Sequence, residues 1–215
     1  MTLEADVYWS FRSPYSYLAT RRYVALTRDY DLRIHQRFVY PLAIREPDFF
    51  EKNHPNWLGY VFKDMFRIAQ YMDIPLAPPN PDPIVQDIAT RKIAEDQPHI
   101  FLLTRMGQAA SRRGKGLEFA DEVSRLIWGG VKDWHTGDHL AQAATRAGLD
   151  LTELKSEAET QAEELDTEIA DNQKALEASG HWGVPTLVFE GEPFFGQDRI
   201  DLAVWRMKQE GLEKR

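Results

Sequence analysis

The chain has 215 residues, 43% of them hydrophobic and 12% aromatic, enough to bury a full core in one large domain or in a domain carrying an insertion. Its formal charge of -8 opposes binding to a phosphate backbone, and no apolar run nears the roughly 18 residues of a membrane span. Cysteine is absent, which removes disulfides, thiolate metal sites and redox cycling through the protein's own thiols. The N-terminal segment also lacks the charged-then-apolar layout of a signal peptide, so a cytoplasmic protein is expected.

In chain order, the run "ADVYWSF" at residues 5–11 reads as a buried strand, and Ser13-Pro14 then supplies a helix N-cap followed by proline at the first helical position. The first helix is predicted over 14–28. "DLRIHQRFVYP" follows, with Leu32, Ile34, Phe38 and Val39 near alternation, so a second strand is predicted to end before Pro41. From about residue 48 to 179 the spacing becomes helical. Trp57, Tyr60, Val61, Met65, Ile68 and Met72 mark one segment there, and Phe119, Val123, Leu126 and Ile127 mark another. A proline-rich turn at 75–83 and Gly129-Gly130 interrupt this block, and Asp150 is placed to cap one last long helix that stops at Ser179-Gly180.

Strand signal returns in "VPTLVFEGEPFFG", where two apolar runs flank the tight turn Glu190-Gly191-Glu192, and a final helix covers 199–209. The order is strand, helix, strand, helical insertion, strand, hairpin strand, helix. A mixed four-stranded sheet accommodates it, so the expected class is α/β, a thioredoxin-like fold with a large all-helical insertion. Residues 1–45 and 180–215 then form the thioredoxin-like domain, and 46–179 the helical insertion domain.

A hydroxyl at a helix start lies where unpaired backbone N–H groups and the helix dipole favour a negative atom, so Ser13 either caps the helix or stabilises a bound thiolate or oxyanion. Ser16 stands three positions later, the separation of the cysteines in a Cys-x-x-Cys motif. The scaffold has the layout of a thiol site without thiols, so any thiol must be brought in.

Three features together, the strand followed by "SPYSYLA", then "WGVPT", then "FFGQDR", resemble the 2-hydroxychromene-2-carboxylate isomerases and the kappa-class glutathione transferases, within the DsbA-like thioredoxin superfamily. The resemblance spans nearly the whole chain in layout and fades in the helical block. It implies glutathione as cofactor, with the Ser13 hydroxyl facing its sulfur. It also implies a cis peptide at Pro185, backbone pairing of Val184 with the cysteinyl part, and Gln197 and Asp198 at the γ-glutamyl end. Asn53 matches an asparagine that helps hold the thiol end. Where relatives carry a lysine, this chain has Trp57. Trp57 and Arg12, beside the serine, are the candidate substrate contacts, with Lys52 and Arg45 as further sources of positive charge.

The implied reaction is cis/trans isomerisation of an aromatic, unsaturated keto acid by reversible thiolate addition, carried out by a homodimer. A kappa-like transferase or peroxidase would use the same residues, and a non-catalytic thioredoxin-fold binding module is the alternative of another class. His135 and His139 have the spacing of two ligands on one helical face, but Gly137 lies between them and no third ligand accompanies them, so no metal is expected. Motifs for serine hydrolases, phosphate-binding loops and dinucleotide binding are absent from the sequence.

Overall fold

The computed structural model describes residues 2–87, 90 and 92–215. Strand β1 (Leu3–Trp9) lies at the centre of a four-stranded sheet of order β2-β1-β3-β4. It runs parallel to β2 (Leu32–Phe38) in the register Leu3↔Leu32 to Trp9↔Phe38, and antiparallel to β3 (Thr186–Phe189). Strand β4 (Glu192–Phe195) closes a hairpin on β3. Glu190 (φ 51°) and Gly191 (φ 80°) both take the left-handed backbone that a two-residue hairpin turn needs.

The first crossover is helix α1 (Pro14–Asp29), capped as its sequence predicts: the Ser13 hydroxyl accepts from the Ser16 N–H at 3.1 Å. Strand β1 starts and ends two residues earlier than the sequence pattern implies. Phe11 is fully buried yet outside the strand, because the chain turns after Trp9 and sends the Phe11 ring into a stack on Phe38 at 5.3 Å. A core residue in a turn here imitates the end of a strand.

Helices α2 (Leu42–Arg45), α3 (Phe49–Lys52), α4 (Asn56–Met72), α5 (Ile100–Arg112), α6 (Gly116–Trp128), α7 (His139–Arg146), α8 (Leu151–Thr160) and α9 (Ala162–Ala178) fill the stretch between β2 and β3. The single long helix expected after Asp150 is two. Asp150 does cap α8, accepting from Glu153 N–H at 3.0 Å, but Gln161 leaves helical geometry (φ -116°, ψ 29°). Arg112 on α5 hydrogen-bonds Gln161 itself, Glu157 before it and Glu164 and Glu168 after it, so one guanidinium joins both sides of the break. The last segment also divides, into a short 3-10 turn (Gln197–Arg199) and helix α10 (Ile200–Gln209).

The insertion is bonded into the sheet. Trp9, Phe11, Phe38 and Phe119 of α6 form one aromatic cluster with edge and stacked contacts, and Trp128 of α6 donates its indole N–H to the Phe11 carbonyl at 2.9 Å. At the outer edge of β2, the carbonyls of Gln36 and Phe38 accept from Ser111 and Asn172, which keeps that edge from pairing with another chain. Among the described residues, no helix is long and apolar enough to cross a membrane.

Candidate active site

The start of α1 is fixed from below. Trp9, fully buried in β1, donates its indole N–H to the Ser16 carbonyl (3.1 Å) and the Thr20 hydroxyl (2.9 Å), so the strand holds the first turn of the helix at a set height. Ser13 then presents its hydroxyl at the helix N-terminus, where Pro14 leaves no N–H to satisfy and the first turn carries no acidic residue. That hydroxyl accepts from Ser16 and donates to the Val184 carbonyl at 3.2 Å, across 171 positions of sequence. The Val184–Pro185 peptide is cis. The Val184 N–H donates to no backbone carbonyl among the described residues, and the Pro185 carbonyl accepts from Gly196 at 2.8 Å. Ser13 at the helix terminus and the Val184–Pro185 loop therefore meet through this bond.

The Gly196–Pro185 bond ties to this point the turn that carries Gln197 and Asp198. Gly196 (φ 102°) allows it: a methyl group there would come within 2.6 Å of the Asp198 carboxylate. The Gln197 carbonyl accepts from Arg22 of α1 at 2.8 Å, tying the turn to the helix, and Asp198 is exposed and paired with Arg199 at 2.8 Å. Tyr15, one residue into α1, donates its hydroxyl to Asp64 of α4 at 2.9 Å. Burial first and then this bond push the Tyr15 phenol well above its ordinary range, and Tyr60 and Asp198 lie near enough to add to the shift. Both carboxylates have a cationic neighbour, Asp64 in Arg67 at 3.4 Å and Asp198 in Arg199.

The residues just before Val184 join an aromatic cluster. Phe49 packs edge-on to Trp57 (5.3 Å) and tilted against Trp182 (5.8 Å); His181 stacks on Trp182 and on Phe195. The His181 Nδ1 accepts from Gly183 N–H at 2.9 Å, and burial pushes its pKa below the usual histidine range. A methyl group on Gly183 would meet the Phe195 ring at 2.6 Å, so the loop before the cis-proline needs glycine to lie flat on β4. Beside this cluster an open cleft of about 530 Å³ is lined by Glu46 to Phe49, Lys52 and Asn53.

The remaining candidates fare differently. Trp57 belongs to that aromatic cluster and Asn53 to the cleft, where its side chain accepts from His54 N–H at 2.9 Å. Arg12 is bound to Asp82 at 2.5 Å and lies over the Trp128 ring, so its charge is already balanced. Lys52 pairs with Asp48 at 3.0 Å. His135 stacks on His99 at 4.6 Å, whereas His139 begins α7. Sequence reasoning included Tyr15 and Trp182 in its motifs without giving them a role, and missed Asp64 and His181. The "HW" preceding "GVPT" was the available signal, because residues next to a cis-proline loop share its position; Asp64 had none, since only the packing of α4 on α1 brings it to Tyr15.

The comparisons with known proteins bear on this geometry. Residues 4–208 match the DSBA-like thioredoxin domain. The chain belongs to the DsbA-like thioredoxin family. No curated protein matches it. Among solved structures, this DsbA-like chain is similar to a 2-hydroxychromene-2-carboxylate isomerase at 22% identity and a TM-score of 0.70, covering 96% of this chain and 95% of that one. A probable DsbA oxidoreductase from Streptomyces coelicolor follows at 16% and 0.67, with 96% and 89% covered. A cytosolic disulfide reductase, DsbM, from Pseudomonas aeruginosa stands at 16% and 0.61, with 97% and 99% covered, and has also been solved with GSH. At these identities the likeness is one of fold. The solved structures of similar fold include an isomerase as well as disulfide oxidoreductases, and this chain has no cysteine at positions 13 and 16.

Proposed function

We propose that this DsbA-like protein is a glutathione-dependent cis/trans isomerase of an aromatic, unsaturated keto acid. The observation that carries the reading is the junction of Ser13 with Val184-Pro185 at the N-terminus of α1 in a chain without cysteine. The residues fit glutathione by the chemistry of their groups. Ser13 and the helix terminus would favour thiolate over thiol at the sulfur. Val184 would pair with the cysteinyl backbone, Gln197 and Asp198 would hold the γ-glutamyl end, and Asn53 would support the thiol end from the cleft. Bound glutathione would supply a thiolate that adds reversibly to a conjugated carbon, leaving a rotatable single bond until it departs, with no net redox change.

The chain's own residues do the rest. Phe49, Trp57 and Trp182 receive the ring and keep water from it. The dipole of α1 stabilises negative charge as it develops. A disulfide reductase acting through its own thiols is ruled out by composition. The same reading makes the protein a cytoplasmic homodimer acting on a small molecule; the cytosolic DsbM supports the compartment.

The test is the ultraviolet absorbance of the thiolate. Added glutathione should show a thiolate band at neutral pH with the wild-type protein, and Ser13→Ala should lose most of it while still binding glutathione. Product analysis with arylidene keto acids then separates isomer from conjugate. A thiolate band that is unchanged in Ser13→Ala, or absent from both proteins, contradicts the assignment of Ser13.

A further inference from the structure

Arg45, the last residue of α2, differs from every other half-buried arginine among the described residues. Arg12, Arg22, Arg37, Arg105, Arg125 and Arg206 each bind a carboxylate. Arg45 binds none. Its Nε donates to the Tyr40 carbonyl at 2.7 Å, a short bond that fixes the plane of the guanidinium. Its two terminal nitrogens share the single carbonyl of Trp182 at 3.3 and 3.4 Å, distances at which a hydrogen bond is weak. Of the five N–H donors of the guanidinium, three are thus engaged, by two carbonyl oxygens. Burial lowers the pKa of the group, and Glu46 and Glu177 act on it only through their more distant charge. A half-buried cation without a counter-ion carries a desolvation cost that a bound anion would offset.

Its position says which anion. Trp182, to whose carbonyl it points, carries the ring that packs on Phe49, and the open cleft begins at the next residue, Glu46. Lys52, the cation that lines the cleft, is paired with Asp48. We infer that Arg45 is the specificity-determining residue that takes the carboxylate of the substrate, with Phe49 and Trp182 taking its aromatic ring. The inference rests on the reading of this site as one for conjugated aromatic acids, and it assigns the acid group of that substrate to one side chain. The planar fork of an arginine matches a carboxylate in two parallel hydrogen bonds, and the weak bonds to Trp182 are the ones it would give up.

Cinnamate and cinnamamide share a conjugated ring and differ in charge, so isothermal titration of both, with and without glutathione, isolates the carboxylate. The wild-type protein should prefer cinnamate by about ten-fold or more, from one charge-assisted bidentate contact. Arg45→Gln should erase that preference and leave glutathione affinity unchanged, and Arg45→Lys should retain part of it. Equal affinity for the two probes in the wild-type protein overturns the inference without requiring any variant to fold. So does a preference that survives in Arg45→Gln. Loss of glutathione affinity in Arg45→Gln also overturns it, since Arg45 would then hold the Trp182–Pro185 loop instead of a ligand. Failure of glutathione to bind the wild-type protein counts against the cofactor reading alone, because the probe preference is measured without it as well.

Discussion

Helices α5 and α6, of 13 residues each, bury residues on almost every turn, including Ile100, Leu103, Met106, Phe119, Val123 and Trp128. Helix α4 is longer, at 17 residues, yet buries only Met65 and Ala69, and leaves Tyr60, Phe62, Phe66 and Tyr71 exposed. The contrast separates two tasks within one insertion. The α5–α6 half completes the core of the sheet through Phe119 and Trp128 and so holds β1, and with it the start of α1, in place. The α2–α4 half contributes little to that core but sets Asp64 against Tyr15 of α1, and Phe49 and Arg45 against Trp182 in the loop before Val184. Stability and recognition are thus placed in different helices, and each should respond to substitution on its own.

The largest test of that division is Phe119→Ala. It empties a fully buried ring site in the aromatic cluster and should cost about 3 to 5 kcal/mol by urea denaturation. A cost below about 1 kcal/mol would mean that the insertion is not the core it resembles. Asp166→Asn comes next. Burial alone would raise the pKa of this α9 carboxyl, but bidentate bonds from Arg105 and one from Tyr40 outweigh that and hold it below the usual range. Since the folded value lies below the unfolded one, about 3.9, the stabilisation is present above about pH 4 and is lost as pH falls through the folded value. The variant should be less stable by about 1 kcal/mol at neutral pH, a modest figure because the group is partly exposed, and the difference should close on acidification. A difference that grows in acid would reverse the sign and refute the linkage. The smallest effect is expected from Phe62→Ser on the outer face of α4, within about 0.5 kcal/mol of wild type. A larger loss would show that α4 is packed in solution against something that stabilises it.

How much of this was legible in the sequence follows the same line. The α1 cap, the hairpin and the order of the elements rest on local chemistry, namely Ser-Pro, Glu-Gly and residue spacing, and each was readable. The end of β1 was misplaced because Phe11 is buried by a tertiary stack that spacing cannot distinguish from a strand. The break at Gln161 was missed because no glycine or proline marks it, and the arginine bonded there, Arg112, lies 49 residues away. In α4 the helical period was correct, but a period shows where an apolar face lies and not whether anything covers it. The site divides likewise. Ser13, Trp182, Val184, Pro185, Gln197 and Asp198 lie in recognisable motifs, whereas Asp64 reaches Tyr15 only through packing.

The central claim is that the Ser13–Val184 junction and Asp198 together hold glutathione, and thermal unfolding with and without excess reduced glutathione tests it most directly. At about one hundred times the dissociation constant, binding contributes about 2.7 kcal/mol, which for a chain of this size raises Tm by about 5 to 10 °C. The account predicts that shift for the wild-type protein and its loss in Asp198→Ala. No shift at millimolar glutathione, or an equal shift in Asp198→Ala, would contradict it.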